Sequence, residues 1–359
     1  MSKVPAVLVC DGGTGNLEIA GLTVLDRMVV ASHRAGCDPI TIVAETVPPL
    51  ACAQALGIRL SVVKGAPAGV RDPGHPTLTI TGGVLVESRD LERVIAARGQ
   101  LVAPDGSPLP IKMNAANPRP VVALGAAHTI TDAASAREAE RKLWASLGSS
   151  ADGVVDRFFN RPLGRAVLKL LVHTSISPNA VSIASILIGV GAAPFFVAGD
   201  FIVGALLLQL CTIVDCVDGD LARALFKQSQ LGKWLDIGGD QVVHVCVFAA
   251  IGLGVARANP QVPAIALGAS AALGVLICFP VIIRGLRRPP EHRGYLLSKL
   301  MDATANRDFT VLLLALAFVG RMDLFVWMAG IGIHLFWIAL LVMQSTGRAS
   351  AAAISRQSP

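Results

Sequence analysis

The rhythm of apolar and polar positions along the chain changes once, near Ser177. Before that point, short β-branched runs alternate with stretches of helical period. The runs Ala6–Cys10, Ile40–Ala44, Leu60–Val63, Thr77–Ile80, Leu101–Val102 and Val121–Leu124 predict strands. Val24–Arg34, Leu50–Leu56, Arg89–Arg98 and Asp132–Leu147 predict helices between them. Strand and helix alternating in this order predict a doubly wound α/β sheet over residues 1–148.

After Ser177 the chain becomes apolar in long blocks. Six of these, at 178–198, 201–223, 233–256, 263–283, 308–320 and 324–344, predict membrane spans. Most hold near 20 residues, as a hydrocarbon core of about 30 Å requires. The fifth is short. The Gly-Ser-Ser-Ala-Asp-Gly stretch at 148–153 marks a linker between the halves. Between it and the first span, Val154–Val172 repeats cations every fourth residue, at Arg157, Arg161, Arg165 and Lys169. With Phe158, Leu168 and Leu171 elsewhere around it, this segment predicts a helix lying in the membrane interface, its plainer alternative being a solvated helix face. The expected division is thus 1–148, a linker and interfacial helix at 149–176, an all-α six-helix transmembrane bundle at 177–345, and a tail at 346–359.

Composition agrees with that division. Hydrophobic residues are 53% of the chain and charged residues 16%, with a mean hydropathy of +0.61, too apolar for an average soluble protein. The net charge of +6 is concentrated locally, because Arg284, Arg287, Arg288, Arg293, Lys299 and Arg307 all follow the fourth span. Their place between spans points to lipid headgroups or a phosphorylated ligand, and away from nucleic acid. Lys and Arg in the loops also orient the bundle. Arg223, Lys227, Lys233, the cluster after span four, Arg348 and Arg356 share one side, against Arg257 and Arg321 on the other. An integral protein of the plasma (inner) membrane with both termini cytoplasmic is expected. Seven cysteines, none in a C-x-x-C pair, argue against a disulfide framework and a zinc site.

Within the apolar half lies Asp215-Cys-Val-Asp218-Gly219-Asp-Leu-Ala222-Arg223, followed by Gly232, Asp236 and Asp240. Carboxylates at membrane depth are costly, so they mark function by default. In helices, Asp215, Asp218 and Ala222 fall at i, i+3 and i+7, and Gly232, Asp236 and Asp240 at i, i+4 and i+8. Each set shares one face. Two such helices facing each other present four carboxylates to one pocket, and clustered oxygen ligands suit Mg²⁺ or Mn²⁺. Arg223 either braces these acids, touches a phosphate or serves as a topology anchor. Asp220, outside the spacing, is expected to be solvated or to support the ligands from behind.

The spacing D-x2-D-G-x2-A-R-x8-G-x3-D-x3-D resembles the signature of the CDP-alcohol phosphotransferases at every specified position. Ser177-Pro178-Asn179-Ala-Val-Ser182 also resembles that family's turn into its first span. The resemblance covers about 152–345. It implies transfer of a substituted phosphate group from a CDP-linked donor to an alcohol acceptor with release of CMP, as in phospholipid biosynthesis. Asp215, Asp218 and Asp236 would be the main metal ligands, joined by Asp240 as the base. Asp218, Gly219, Ala222, Arg223, Gly232 and Asn179 would meet the CDP moiety. Arg284, Arg287, Arg288 and Arg307 would be placed for an acceptor phosphate, their plainer role being topology anchors. A homodimer surrounded by membrane lipids is implied by the same resemblance. An acid-lined transporter is the rival from another class; it predicts polar residues spread through the bilayer depth.

In the first half, Asp11-Gly12-Gly13-Thr14-Gly15-Asn16 after the first strand resembles the opening of a nucleotidyltransferase. Active relatives carry an Arg in this loop and a Lys beyond it. Here Asn16 and Leu17 follow the loop, Leu22–Asp26 has no Lys, and Gly83 stands where an acid is expected. The resemblance therefore implies a degenerate domain, as in fused inositol-phosphate cytidylyltransferase/phosphotransferase proteins. The donor stays open between CDP-diacylglycerol and a CDP-polyol, the latter favoured if this domain is active.

Overall fold

A computed structural model describes residues 3–65, 76–115, 117–148, 153–286 and 308–357, with side chains from 346 onward left aside. The chain divides into two compact units. One holds Met1–Leu147 together with Val172–Thr174 and Ala222–Lys227; the other holds Gly148–Leu171, Ser175–Leu221 and Gln228–Pro359.

The first unit is an α/β domain on a seven-stranded sheet. Across the sheet the strands run Arg119–Val122, Gly99–Val102, Pro108–Met113, Leu78–Thr81, Val4–Val9, Cys37–Val43 and Leu60–Val63. Val4–Val9 is an interior strand, with Ala6, Leu8 and Val9 buried and its pairings to Cys37–Val43 and Leu78–Thr81 both parallel. Pro108–Met113 runs antiparallel to both its neighbours, so the sheet is mixed. This strand escapes sequence patterning because Pro108 and Pro110 each remove a ladder donor. Its register with Gly99–Val102 shifts between Gln100 and Val102, which accommodates them.

The helices of this unit are α1 (Gly12–Gly15), α2 (Val24–Arg34), α3 (Ala51–Ala55), α4 (Ser88–Ala97) and α5 (Ala133–Ser146). The Thr23 side chain caps α2 by accepting from Asp26 N–H at 3.2 Å. The buried Asp26 carboxylate in turn accepts from Cys52 and Ala53 N–H at 2.8 and 2.9 Å, fixing the start of α3. Helix α5 opens on a capping box between Asp132 and Ser135.

The second unit is helical. A π-helical turn, Asp156–Asn160, leads into α6 (Arg161–Leu171). Then come α7 (Pro178–Ala198), α8 (Phe201–Ala224), α9 (Gln230–Ala258), α10 (Ala264–Leu286), α11 (Phe309–Val319) and α12 (Met322–Gln357). Five of these, α7 to α10 and α12, are long and apolar enough to cross a membrane. The fifth expected span, the short one, is α11, an apolar helix of 11 residues that falls below that length. At 1.5 Å per residue they reach about 16 Å, roughly half a hydrocarbon core.

The bundle closes through small residues. A Cβ on Gly254 of α9 would stand 1.9 Å from the Phe196 carbonyl oxygen of α7. Gly252 of α9 and Gly268 of α10 cross at similar range, with an added Cβ at 2.7–2.9 Å from facing backbone. Such contacts let membrane helices approach where there is no aqueous driving force. Phe196, Leu208, Val247, Ile251, Leu313 and Phe325 fill the interior, while Leu187, Leu206, Leu253 and Leu335 point outward, as lipid-facing positions do.

The segment expected at the interface keeps part of that character. Phe158, Phe159, Leu163, Val167 and Leu170 are exposed. Arg161, however, leaves the expected cationic stripe. It is 7% exposed and pairs at 2.7 Å with Asp220, which is 3% exposed. Asp220 is thus not solvated; the helix pair buries it, and a buried acid requires a cation of good geometry.

Candidate active site

Helix α8 brings Asp215 and Asp218 to the interior at 7% and 5% exposure. Helix α9 brings Asp236, which is accessible to solvent. Each of the three offers an oxygen lying within 4.8 Å of the others. Asp215 and Asp218, three apart on α8, share a face, and α9 supplies the third carboxylate to it. Asp240 lies one turn beyond Asp236 on α9 and is not one of the three converging carboxylates. Three clustered carboxylate oxygens fit one hard divalent cation, which takes oxygen ligands at 2.0–2.6 Å and offsets their repulsion.

The turn into α7 closes onto these residues. Ser177 caps the helix, its hydroxyl accepting from Ala180 N–H at 3.2 Å, and Pro178 occupies the first helical turn, where its missing N–H costs nothing. Four residues after Pro178, the buried Ser182 hydroxyl donates to the Asp218 carboxylate. Asn179 meets the start of α9, where a Cβ on Gly232 would lie 2.9 Å from its Oδ1. Ser229 caps α9 through Gly232 N–H at 2.9 Å, so Gly232 is both capped and crowded. The family resemblance pointed to Asn179 and Gly232, and the structure sets them side by side. The role of Ser182 was not anticipated, although it closes the Ser-Pro-Asn-x-x-Ser turn.

Gly219, Ala222 and Arg223 follow on α8, within or just beyond the turn of Asp218. Arg284 ends α10 and is exposed. Arg287, Arg288, Arg293 and Arg307 lie outside the described residues.

Residues 175–344, the stretch holding all three converging carboxylates, match the family model for CDP-alcohol phosphatidyltransferase. This segment is a CDP-alcohol phosphatidyltransferase domain. A protein of Rubrobacter xylanophilus, bifunctional IPC transferase and DIPP synthase, is 31% identical over 173 residues, 48% of this chain and 37% of that protein. The phosphatidylinositol phosphate synthase of Streptomyces avermitilis is 31% identical over 97 residues, 27% of this chain and 39% of that one. The chain therefore spans well under half the length of either curated relative. Among solved structures, Mycobacterium tuberculosis phosphatidylinositol phosphate synthase with CDP-DAG bound aligns at 16% identity and a TM-score of 0.37, covering 52% of this chain and 92% of that one.

In the α/β unit, the glycine-rich loop after the first strand is closed on itself. The Asp11 carboxylate accepts from Thr14 N–H at 3.2 Å and from the Thr14 hydroxyl. Its charge and its occupation of a loop N–H both oppose an incoming phosphate. At Gly83 a Cβ would stand 3.1 Å from both the Ile130 carbonyl oxygen and Thr14 Cβ. A carboxylate at that position would need the strand or the loop to shift.

Proposed function

We propose that this chain transfers a substituted phosphate group from a CDP-linked donor to an alcohol acceptor in the membrane, releasing CMP. The observation that carries this is the convergence of Asp215, Asp218 and Asp236 within the CDP-alcohol phosphatidyltransferase domain.

In this reading Asp215, Asp218 and Asp236 hold Mg²⁺ or Mn²⁺. An ion held there would supply positive charge to offset that of the donor diphosphate and of the departing CMP. Asp240 accepts the proton of the acceptor hydroxyl, whose oxygen forms a bond to the β-phosphorus. The bond from that phosphorus to the bridging oxygen breaks, and its electron pair leaves with CMP. Gly219, Ala222 and Gly232 let the nucleotide approach helix backbone, with Asn179 beside Gly232 to hold it. Arg223 and Arg284, with Arg287, Arg288 and Arg307, supply cations for donor and acceptor phosphates.

The Streptomyces avermitilis relative is a phosphatidylinositol phosphate synthase, and the Rubrobacter xylanophilus relative is a bifunctional transferase and synthase. That supports a polar, phosphorylated polyol as acceptor, and keeps a CDP-polyol beside CDP-diacylglycerol as donor. The α/β domain acts as a non-catalytic partner of the membrane half in this reading, because its loop binds itself and its acid position is filled. The proposal includes a homodimer with cytoplasmic termini in the plasma membrane.

The test is CMP release by the purified full chain with Mg²⁺ or Mn²⁺, comparing CDP-diacylglycerol with CDP-inositol over phosphorylated and free polyols. Turnover of the lipid donor supports a phospholipid synthase. Turnover of the polar donor alone supports a soluble-polyol route, and CTP-dependent pyrophosphate release would overturn the non-catalytic assignment. No CMP from any donor would sink the transfer reading.

A further inference from the structure

Helix α8 is polar on two opposite sides. Asp215, Asp218 and Ala222 occupy one; Gln209, Cys216 and Asp220, at i, i+7 and i+11, occupy the other, about 180° away at 100° per residue. Polar groups on the second face are as costly to bury as those on the first. The carboxylate reading assigns them no task.

That second face is met in full by the segment before the first span. Arg161 Nη1 donates to Asp220 Oδ1 at 2.7 Å, with side-chain exposures of 8% and 4%. Asn160 Nδ2 donates to Asp156 Oδ1 at 2.7 Å, and Gln209 Nε2 donates to Asn160 Oδ1 at 2.5 Å. Thr310 Oγ1 of α11 donates to Gln209 Oε1 at 2.9 Å. Cys216 Sγ lies 4.0 Å from Asp156 Oδ1. Close approach is built in at Gly164, where a Cβ would meet Val217 Cγ2 at 3.2 Å and the Ile213 carbonyl oxygen at 3.5 Å. Asp156, Asn160, Arg161, Gln209, Thr310 and Asp220 are all at most 7% exposed.

We propose that Arg161, paired with Asp220 and backed by the Asn160–Gln209–Thr310 chain, is a positioning residue that fixes the rotation of α8 and thereby the spacing of Asp215 and Asp218 toward Asp236. Four directional bonds on one side of a helix select one rotation about its axis. An apolar seam leaves neighbouring rotations close in energy. The Arg161–Asp220 pair sits two residues from Asp218, so a turn of the helix there moves the metal-facing carboxylate directly. The inference rests on the carboxylate set being a metal site; the acceptor and donor do not enter it.

The test uses the full chain in lipid nanodiscs, with Mn²⁺ binding read by electron paramagnetic resonance of the free ion. Unfolding temperature and CMP release are followed in parallel. Arg161→Lys keeps the cation and loses the planar fork. The double variant Arg161→Met/Asp220→Leu removes both charges at similar volume, a change that buried pairs often tolerate. Both are expected to keep the parental unfolding temperature within a few degrees. Mn²⁺ half-saturation should rise about threefold in the first and about tenfold in the second, with donor KM at saturating metal unchanged. A merely structural role would lower the folded fraction and leave the metal midpoint in place, and that result in both variants overturns the proposal. Should the double variant not fold, Arg161→Lys decides by the same criterion. A parent that binds Mn²⁺ and releases no CMP, with the midpoint shifted in the variants, sinks the transfer reading and leaves the positioning inference standing.

Discussion

Ser182 of α7 donates its hydroxyl to the Asp218 carboxylate of α8, joining the first long apolar helix to the candidate metal site. A hydrogen bond to a charged group is worth about 1.5–3 kcal/mol, so its loss is felt as roughly tenfold or more in whatever depends on that carboxylate. Ser182→Ala is expected to lower CMP release about tenfold and raise the metal concentration for half activity, while Ser182→Thr retains most function. A metal titration of both variants checks this; an unchanged midpoint in Ser182→Ala would remove Ser182 from the site.

Asp240 is not among the three carboxylates whose oxygens all lie within 4.8 Å of one another, and its variants should separate from theirs. Asp240→Asn is expected to reduce CMP release by about 10²–10⁴, the range for a lost general base, with Mn²⁺ binding near the parental value. Asp215→Asn, Asp218→Asn and Asp236→Asn should each weaken Mn²⁺ binding as well. Equal loss of Mn²⁺ binding in all four would make Asp240 a ligand.

Backbone proximity predicts a stability contrast within the bundle. An added methyl at Gly254 meets the Phe196 carbonyl oxygen at 1.9 Å, and backbone cannot yield as a side chain can. Gly254→Ala should cost on the order of 1–3 kcal/mol, as overpacking does, and lower the unfolding temperature measured by fluorescence-detected gel filtration. Gly332→Ala, where nothing lies within 4 Å, should be neutral or slightly stabilising through helix propensity.

His128 gives the α/β domain a pH dependence. Burial, and then the Lys142 ammonium 3.0 Å from its Nδ1, hold the imidazole below its ordinary 6.5. The unfolded chain then binds more protons than the folded one between the depressed value and 6.5. Stability from this group is present above pH 6.5 and is lost as pH falls through that window. Hydrogen exchange of the full chain, corrected for intrinsic rate, should show less protection around 126–146 at pH 5.5 than at 7.5. His128→Gln should flatten that difference.

Much of this was legible in the sequence. Hydropathy located the long helices because the bilayer imposes a length, and helical spacing put Asp215 and Asp218 on one face and Asp236 and Asp240 on another; of the four carboxylates expected in one pocket, Asp215, Asp218 and Asp236 converge. Pattern failed where a local rule was overridden by tertiary context. Pro108 and Pro110 concealed a strand. Arg161 was misplaced because its four-residue spacing matches Arg157, Arg165 and Lys169, whereas its partner is 59 positions away. The available clue was Asp220, an acid in a membrane helix facing away from the other acids. A carboxylate there needs a cation from another element, and Arg161 precedes α8 on the helix packed against it.

The two-sided polarity of α8 limits how such a protein can be recombined. A chimera that imports α8 alone would bring the metal-facing acids intact and leave Arg161 and Asn160 opposite strangers. The smallest portable piece carrying this relationship runs from the turn before α6 to the end of α8, residues 153–224. Swaps cut at the apparent start of the membrane half, near Ser177, divide the pair and should yield misassembled protein.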